Sequence, residues 1–126
     1  MVDFVYDKSK QEFSGRGQNW KVRSGLPGRY QPTPNGLYTL PKNALMSGKS
    51  GFGVPHDGKY AKPPYSFSDK KGFSWFLWLG KANLGIHPDG NVPGTEGCIG
   101  ILGDDTSNLF NKLKTMKQKQ IVVLVK

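Results

Sequence analysis

A single cysteine, Cys98, stands between Gly97 and Ile99, and one of only two histidines, His87, lies eleven positions before it. A thiol is a useful nucleophile only as thiolate, and an imidazole is the usual group that takes its proton. The connection between them reads Pro88-Asp89-Gly90-Asn91-Val92-Pro93-Gly94-Thr95-Glu96-Gly97. Its glycines and prolines let the chain leave one strand and re-enter the sheet next door, where strands lie about 4.8 Å apart. The pair is therefore expected on neighbouring strand ends. Gly97 permits close approach of the backbone to a bound carbonyl. The N–H groups of Gly97 and Cys98 are natural donors to an oxyanion, and the Thr95 hydroxyl can hold the loop or orient the imidazole. Each residue has a plainer reading. Free cysteine is among the most buried residue types, His87 can be a hydrogen-bonded structural histidine, and Asp89 can make a turn instead of meeting a substrate amine. His56, in Val54-Pro55-His56-Asp57-Gly58, reads as a surface residue, or else as a substrate contact or rival base.

The elements that must position this pair are mostly strands. Phe4-Val5-Tyr6 followed by Asp7-Lys8-Ser9 reads as a strand and turn, with Gln11 to Phe13 pairing back. Trp20 to Arg23 alternates apolar and polar, as a half-buried strand does. Thr33-Pro34-Asn35-Gly36 is a turn, and Leu37 to Leu40 leaves it as a strand. Residues 41–72, rich in Gly, Pro, Ser and Lys, read as a long loop or lid over a cleft, with Tyr60, Tyr65 and Phe67 as its aromatic side chains. Phe73 to Leu79 is a nearly continuous apolar run, suited to a strand buried on both faces. Leu84 to His87 and Gly97 to Ile101 carry the two reactive side chains. Asp104 to Ser107 offers helix-capping residues, and Leu109, Phe110, Leu113 and Met116 then repeat on one helical face. Ile121 to Val125 is a terminal buried strand. Trp75, Phe76 and Trp78 read as core rather than a ligand platform.

Bulk properties narrow the class. With 126 residues, 36% of them hydrophobic, the chain is expected to form one domain, 1–126, with one core. No stretch approaches the roughly 20 apolar residues that span a bilayer, and no secretory signal is recognisable at the start. One cysteine excludes an internal disulfide framework, and a metal cluster would lack ligands; no cofactor is implied. Eighteen basic residues against nine acidic ones give +9, a field that attracts polyanions. Lys112, Lys114, Lys117 and Lys119 cluster near the expected helix C-terminus, where the helix dipole favours cations. The charge selects no partner by itself, and the aromatic–basic motifs of the usual RNA-binding modules are absent.

Two segments carry a family resemblance. Thr95-Glu96-Gly97-Cys98-Ile99 resembles the Ser/Thr-x-Gly-Cys-Ile/Val signature of YkuD-type L,D-transpeptidases. Thr33-Pro34-Asn35-Gly36-Leu37-Tyr38 resembles the family's T-P-x-G-x-[FY] block, with Ser24-Gly25 before it. The spacing H-x6-G-[ST]-x-G-C, from His87 to Cys98, is similar to a small subgroup of L,D-transpeptidase-like toxins delivered by type VI secretion. Departures are Glu96, where many members carry a basic residue, and Gly100, where many carry Asn or Arg. The resemblance implies a mostly β sandwich with one helix near the C-terminus and Cys98 at the end of a cleft. It implies a peptidoglycan-directed cysteine enzyme with Cys98, His87 and Thr95 catalytic and Gly97 and Cys98 forming the oxyanion hole. Tyr38, Asp89, Glu96 and Gly94 would bind the stem peptide, Tyr38 being read equally as core or cleft wall. The implied reactions on tetrapeptide stems are L,D-carboxypeptidase action, D-amino-acid exchange and 3→3 crosslinking, the first two being those of the toxin-like subgroup. The toxin reading adds delivery into a target cell's periplasm, an acidic immunity protein matched to the positive charge, and a monomer. Rival readings are a housekeeping or phage cell-wall enzyme, a non-catalytic cell-wall-binding module and, last, a nucleic-acid binder.

Overall fold

Trp20, Val22 and Ser24 alternate with Lys21 and Arg23, and an extended chain so patterned buries one side. It forms β3 (Gln18–Ser24), with Val22 sealed in the core. The protein is seen as a computed structural model, which describes residues 2–25, 28, 30–41, 44–47, 69–71, 75–80, 84–89 and 97–126. β1 (Phe4–Asp7) and β2 (Glu12–Gly15) form the expected hairpin. β2 returns to β3 through Arg16 and Gly17, whose φ angles of 54° and 79° fit the two-residue turn that matches strand twist. β4 (Gly36–Pro41) leaves the Thr33–Gly36 turn and pairs antiparallel with β9 (Gln120–Val125), which lies parallel to β1.

The other half contains β5 (Leu45–Ser47), β6 (Trp75–Trp78), β7 (Gly85–Pro88) and β8 (Ile99–Ile101). Among the described residues, nine strands join in the order β4-β9-β1-β2-β3-β8-β7-β6-β5. β3 is the corner: Gln18 to Lys21 pair with β2, and Val22 to Ser24 with β8. One core holds Phe4, Phe13 and Val123 from the first half together with Trp75, Leu77, Ile86 and Ile99 from the second. The two halves thus close face to face, the mostly β architecture expected of the sequence. β5 lies within the stretch read as loop. Three residues, with no alternation to mark them, are recruited by pairing to β6. Residues 48–68, which include His56, Tyr60, Tyr65 and Phe67, lie outside the described residues. β9 is buried on one face only: Ile121, Val123 and Val125 point inward. Its apolar run resembles a fully buried strand, but β4 and β1 flank it at its edges and leave Val122 and Leu124 half covered.

The helix α1 (Ser107–Thr115) buries Leu109, Phe110 and Leu113 against this core. Its first turn is not capped by Thr106, the residue before it. Asp105 instead accepts the N–H and hydroxyl of Ser107 at 2.9 and 2.6 Å. The N–H and hydroxyl of Thr106 turn inward to the buried carboxylate of Asp69, at 2.8 and 2.9 Å, and the Trp75 indole N–H donates to Thr106 Oγ1. Asp69 therefore ties the start of the helix to the approach to β6. Among the described residues, no helix is long and apolar enough to cross a membrane.

Candidate active site

β7 and β8 run parallel and adjacent, with His87 in register with Gly100. Residues in register share a face, and alternation returns Cys98, two positions before Gly100, to that same face. A lateral step of about 4.8 Å and two residues of about 3.3 Å rise put the two Cα atoms roughly 8 Å apart, a span that converging Cys and His side chains can bridge. Arg23 of β3 is also in register with Gly100. One row thus runs Arg23, Gly100, His87 across three strands, on the side opposite Val22, Ile99, Ile101 and Ile86, which line the core.

His87 is buried, with 4% of its surface exposed. Its ring stacks on Phe76 of β6, centroids 6.0 Å apart and planes 9° from parallel. Phe76 lies fully buried yet outside the main core cluster, because it faces the His87 side of the sheet. Gly85 makes this possible: a Cβ there would fall 2.1 Å from the Phe76 ring. His87 Nδ1 is 2.7 Å from the Pro88 carbonyl oxygen. A carbonyl only accepts, so in the neutral ring Nδ1 carries the proton and Nε2 keeps its lone pair. Burial drives the imidazole pKa down from 6.5 to about 4, the Pro88 hydrogen bond opposing only part of that shift. At neutral pH His87 is an uncharged base presenting Nε2, oriented by its neighbours.

Asp89 continues beyond β7, its N–H donating to the Ile101 carbonyl at 2.9 Å. Its carboxylate lies over Gly100: a Cβ at that glycine would come 2.7 Å from Asp89 Cβ and 2.8 Å from Oδ2. The glycine that departs from the family pattern is thus the space an acidic side chain occupies beside His87. Cys98 is largely buried, 9% exposed. Gly97 before it has φ +118°, and a side chain there would press on Leu84 at 3.0 Å, so only glycine fits.

Sequence reasoning missed the group that fixes this bend. The Gly97 carbonyl accepts the Thr33 hydroxyl, and Ser24 Oγ lies 3.3 Å from the same oxygen. Ser24 Oγ is 3.0 Å from Thr33 Oγ1 and accepts the Thr33 N–H at 2.8 Å. Tyr6, from β1, hydrogen-bonds with Ser24, and burial raises its pKa. Tyr38 packs against the core with its hydroxyl donating to the Pro34 carbonyl at 2.7 Å. The signal was present in the Thr33–Tyr38 block, but no spacing rule says that it meets Gly97. Arg23 was visible only as the polar member of an alternating strand. Gly94, Thr95 and Glu96 lie outside the described residues.

The comparisons with known proteins agree with this fold. L,D-transpeptidase 1 of Mycobacterium tuberculosis superposes with a TM-score of 0.55 at 16% identity, over 98% of this chain and 58% of that one. An L,D-transpeptidase from Mycobacterium smegmatis gives 0.51 at 20% identity over 99% and 58%. The chain thus spans a little over half the length of these two. The catalytic domain of an Enterococcus faecium L,D-transpeptidase, solved acylated by ertapenem, gives 0.51 at 20% identity over 100% of this chain and 98% of that one. No curated protein matches by sequence. The profile of the L,D-transpeptidase catalytic domain (YkuD) matches residues 3–123, and the chain belongs to that family.

Proposed function

We propose that the protein is a cysteine acyltransferase acting on peptidoglycan tetrapeptide stems at the bond between diaminopimelate and D-alanine. The observation that carries this is the neutral His87, its Nδ1–H donated to Pro88, one strand over from Cys98 on the same face. In this reading Cys98 Sγ attacks the carbonyl carbon at the L-centre of diaminopimelate while His87 Nε2 takes the thiol proton. The oxyanion is met by the N–H groups of Cys98 and Gly97. Collapse breaks the C–N bond, and the imidazolium returns its proton to the leaving amine of D-alanine. Water resolves the thioester to a tripeptide, or the amine of a free D-amino acid resolves it to an exchanged stem. A base that is neutral at rest accepts the proton during attack, so no preformed ion pair is required.

Charge on the same row suits a zwitterionic stem. Asp89 matches the diaminopimelate ammonium, and Arg23 matches a terminal carboxylate. The family resemblance assigns Thr95 to the imidazole and Glu96 and Gly94 to the stem, all three outside the described residues, and Tyr38 acts through the loop that its hydroxyl braces. The test is incubation of tetrapeptide muropeptides, with and without D-methionine, with wild type, Cys98→Ala and His87→Ala, read by mass spectrometry. Loss or exchange of D-alanine by wild type alone supports the reading. Unchanged stems with folded wild type reject it, as does equal turnover by Cys98→Ala. A covalent ertapenem adduct on Cys98, as formed on the Enterococcus domain, is a second readout.

The short H-x6-G-[ST]-x-G-C spacing further favours a delivered antibacterial effector, and the charge of +9 suits an acidic protein inhibitor that associates fast. Export of the chain to a bacterial periplasm should then arrest growth, cytoplasmic expression should not, and Cys98→Ala should be harmless in both. Harmless periplasmic wild type would end the effector reading while leaving the chemistry standing.

A further inference from the structure

The β3/β8 ladder ends at the pair Ser24 and Ile99. Beyond it, Gly25 turns away at φ +75°. A buried carbonyl needs a donor, and a side-chain hydroxyl supplies one to the Gly97 carbonyl. Thr33 is completely buried and donates to Gly97 O. Its single proton is thereby used, so Ser24 must supply the proton shared between the two hydroxyls, while Ser24 Oγ accepts the Thr33 N–H. Pro34 restricts Thr33 to an extended backbone, and the Tyr38 hydroxyl anchors the Pro34 carbonyl. Everything around Thr33 holds its hydroxyl on one oxygen.

That oxygen belongs to the peptide unit joining Gly97 to Cys98. The unit is planar and trans, so fixing C=O in one direction points the Cys98 N–H in the other. Gly97, which has no Cβ and a positive φ, is the position where such a plane turns most easily. We propose that Thr33, braced by Ser24, is a positioning residue that locks the Gly97–Cys98 peptide so that the Cys98 N–H is aimed at the acyl oxyanion. This rests on Cys98 being the acyl-accepting nucleophile, and it gives the Thr33–Tyr38 block a role in the chemistry rather than in the fold alone.

The experiment compares two reactions of the same sulfur in wild type, Thr33→Val, Thr33→Ser and Ser24→Ala. Acylation by p-nitrophenyl acetate passes through an oxyanion: the thioester forms, the ester C–O bond breaks and nitrophenolate leaves. Alkylation by iodoacetamide passes through none. Loss of one oxyanion donor costs about 100- to 1000-fold, so misaiming it in Thr33→Val should slow acylation about 10- to 100-fold. Alkylation should stay within about threefold, and Thr33→Ser should restore acylation, since a hydroxyl is all the clamp requires. On muropeptides kcat should fall with little change in KM. Equal slowing of both reactions, or unchanged acylation, overturns the proposal. If Thr33→Val does not fold, Ser24→Ala decides by the same comparison. Wild type that is acylated but inert toward muropeptides would refute the proposed substrate and leave this test intact.

Discussion

His87 is kept uncharged by its surroundings, and that has a measurable sign. Its pKa is about 4 in the folded protein against 6.5 ordinarily. Between those values the unfolded chain binds a proton that the folded chain refuses, so stability is complete above pH 6.5 and falls as the pH drops toward 4. The loss is about 3 kcal/mol over that window. Denaturant titrations from pH 7 to 4 should show it, and His87→Gln should flatten the slope. The acid limb of kcat/KM should lie near the same pKa of about 4, because a neutral imidazole suffices. A limb near 6.5 would contradict the buried, neutral base. The space over Gly100 is testable too. Gly100→Ala puts a methyl group against the Asp89 carboxylate and should raise KM for muropeptides about 10-fold or more, since displacing a charged hydrogen-bonding group costs about 1.5–3 kcal/mol. Alkylation of Cys98 should be unchanged.

At the scale of elements, the helix α1 is joined to the sheet by a polar bolt. Thr106, buried to 1% exposure, gives both its N–H and its hydroxyl to Asp69 while receiving the Trp75 indole N–H. Removing the carboxylate in Asp69→Ala orphans two buried donors. Each unsatisfied donor costs about 1–3 kcal/mol, so the variant should lose about 2–6 kcal/mol of stability. Amide exchange should quicken first in residues 107–115. Activity per folded molecule should persist, because the bolt lies on the opposite side of the sheet from the His87 row. Sequence periodicity identified this helix and its apolar face. It could not identify Asp69, because capping rules describe neighbours in sequence and this partner stands 37 residues away.

The described residues form one nine-stranded ladder folded on β3, and the chain carries a charge of +9. Such a field attracts an anionic cell wall whatever happens at Cys98. Retention on insoluble peptidoglycan should therefore be equal for wild type and Cys98→Ala. It should fall severalfold between about 50 and 300 mM salt as the Debye length shrinks well below about 10 Å. Retention that vanishes with Cys98→Ala would show that the active site, rather than the field, holds the wall.

Composition and pattern by themselves determined a β-rich chain with one amphipathic helix, because alternation and 3.6-residue periodicity are local properties of the polypeptide. They also singled out Cys98 and His87, because reactive side chains are rare enough here to stand out. Tertiary structure alone decided that His87 is buried against Phe76 and uncharged, that Asp89 fills the space over Gly100, and that Thr33 reaches the carbonyl before Cys98. Those are contacts between residues 11 to 64 positions apart. Burial, stacking and hydrogen bonding across such distances are set by how the strands register, which no single segment encodes.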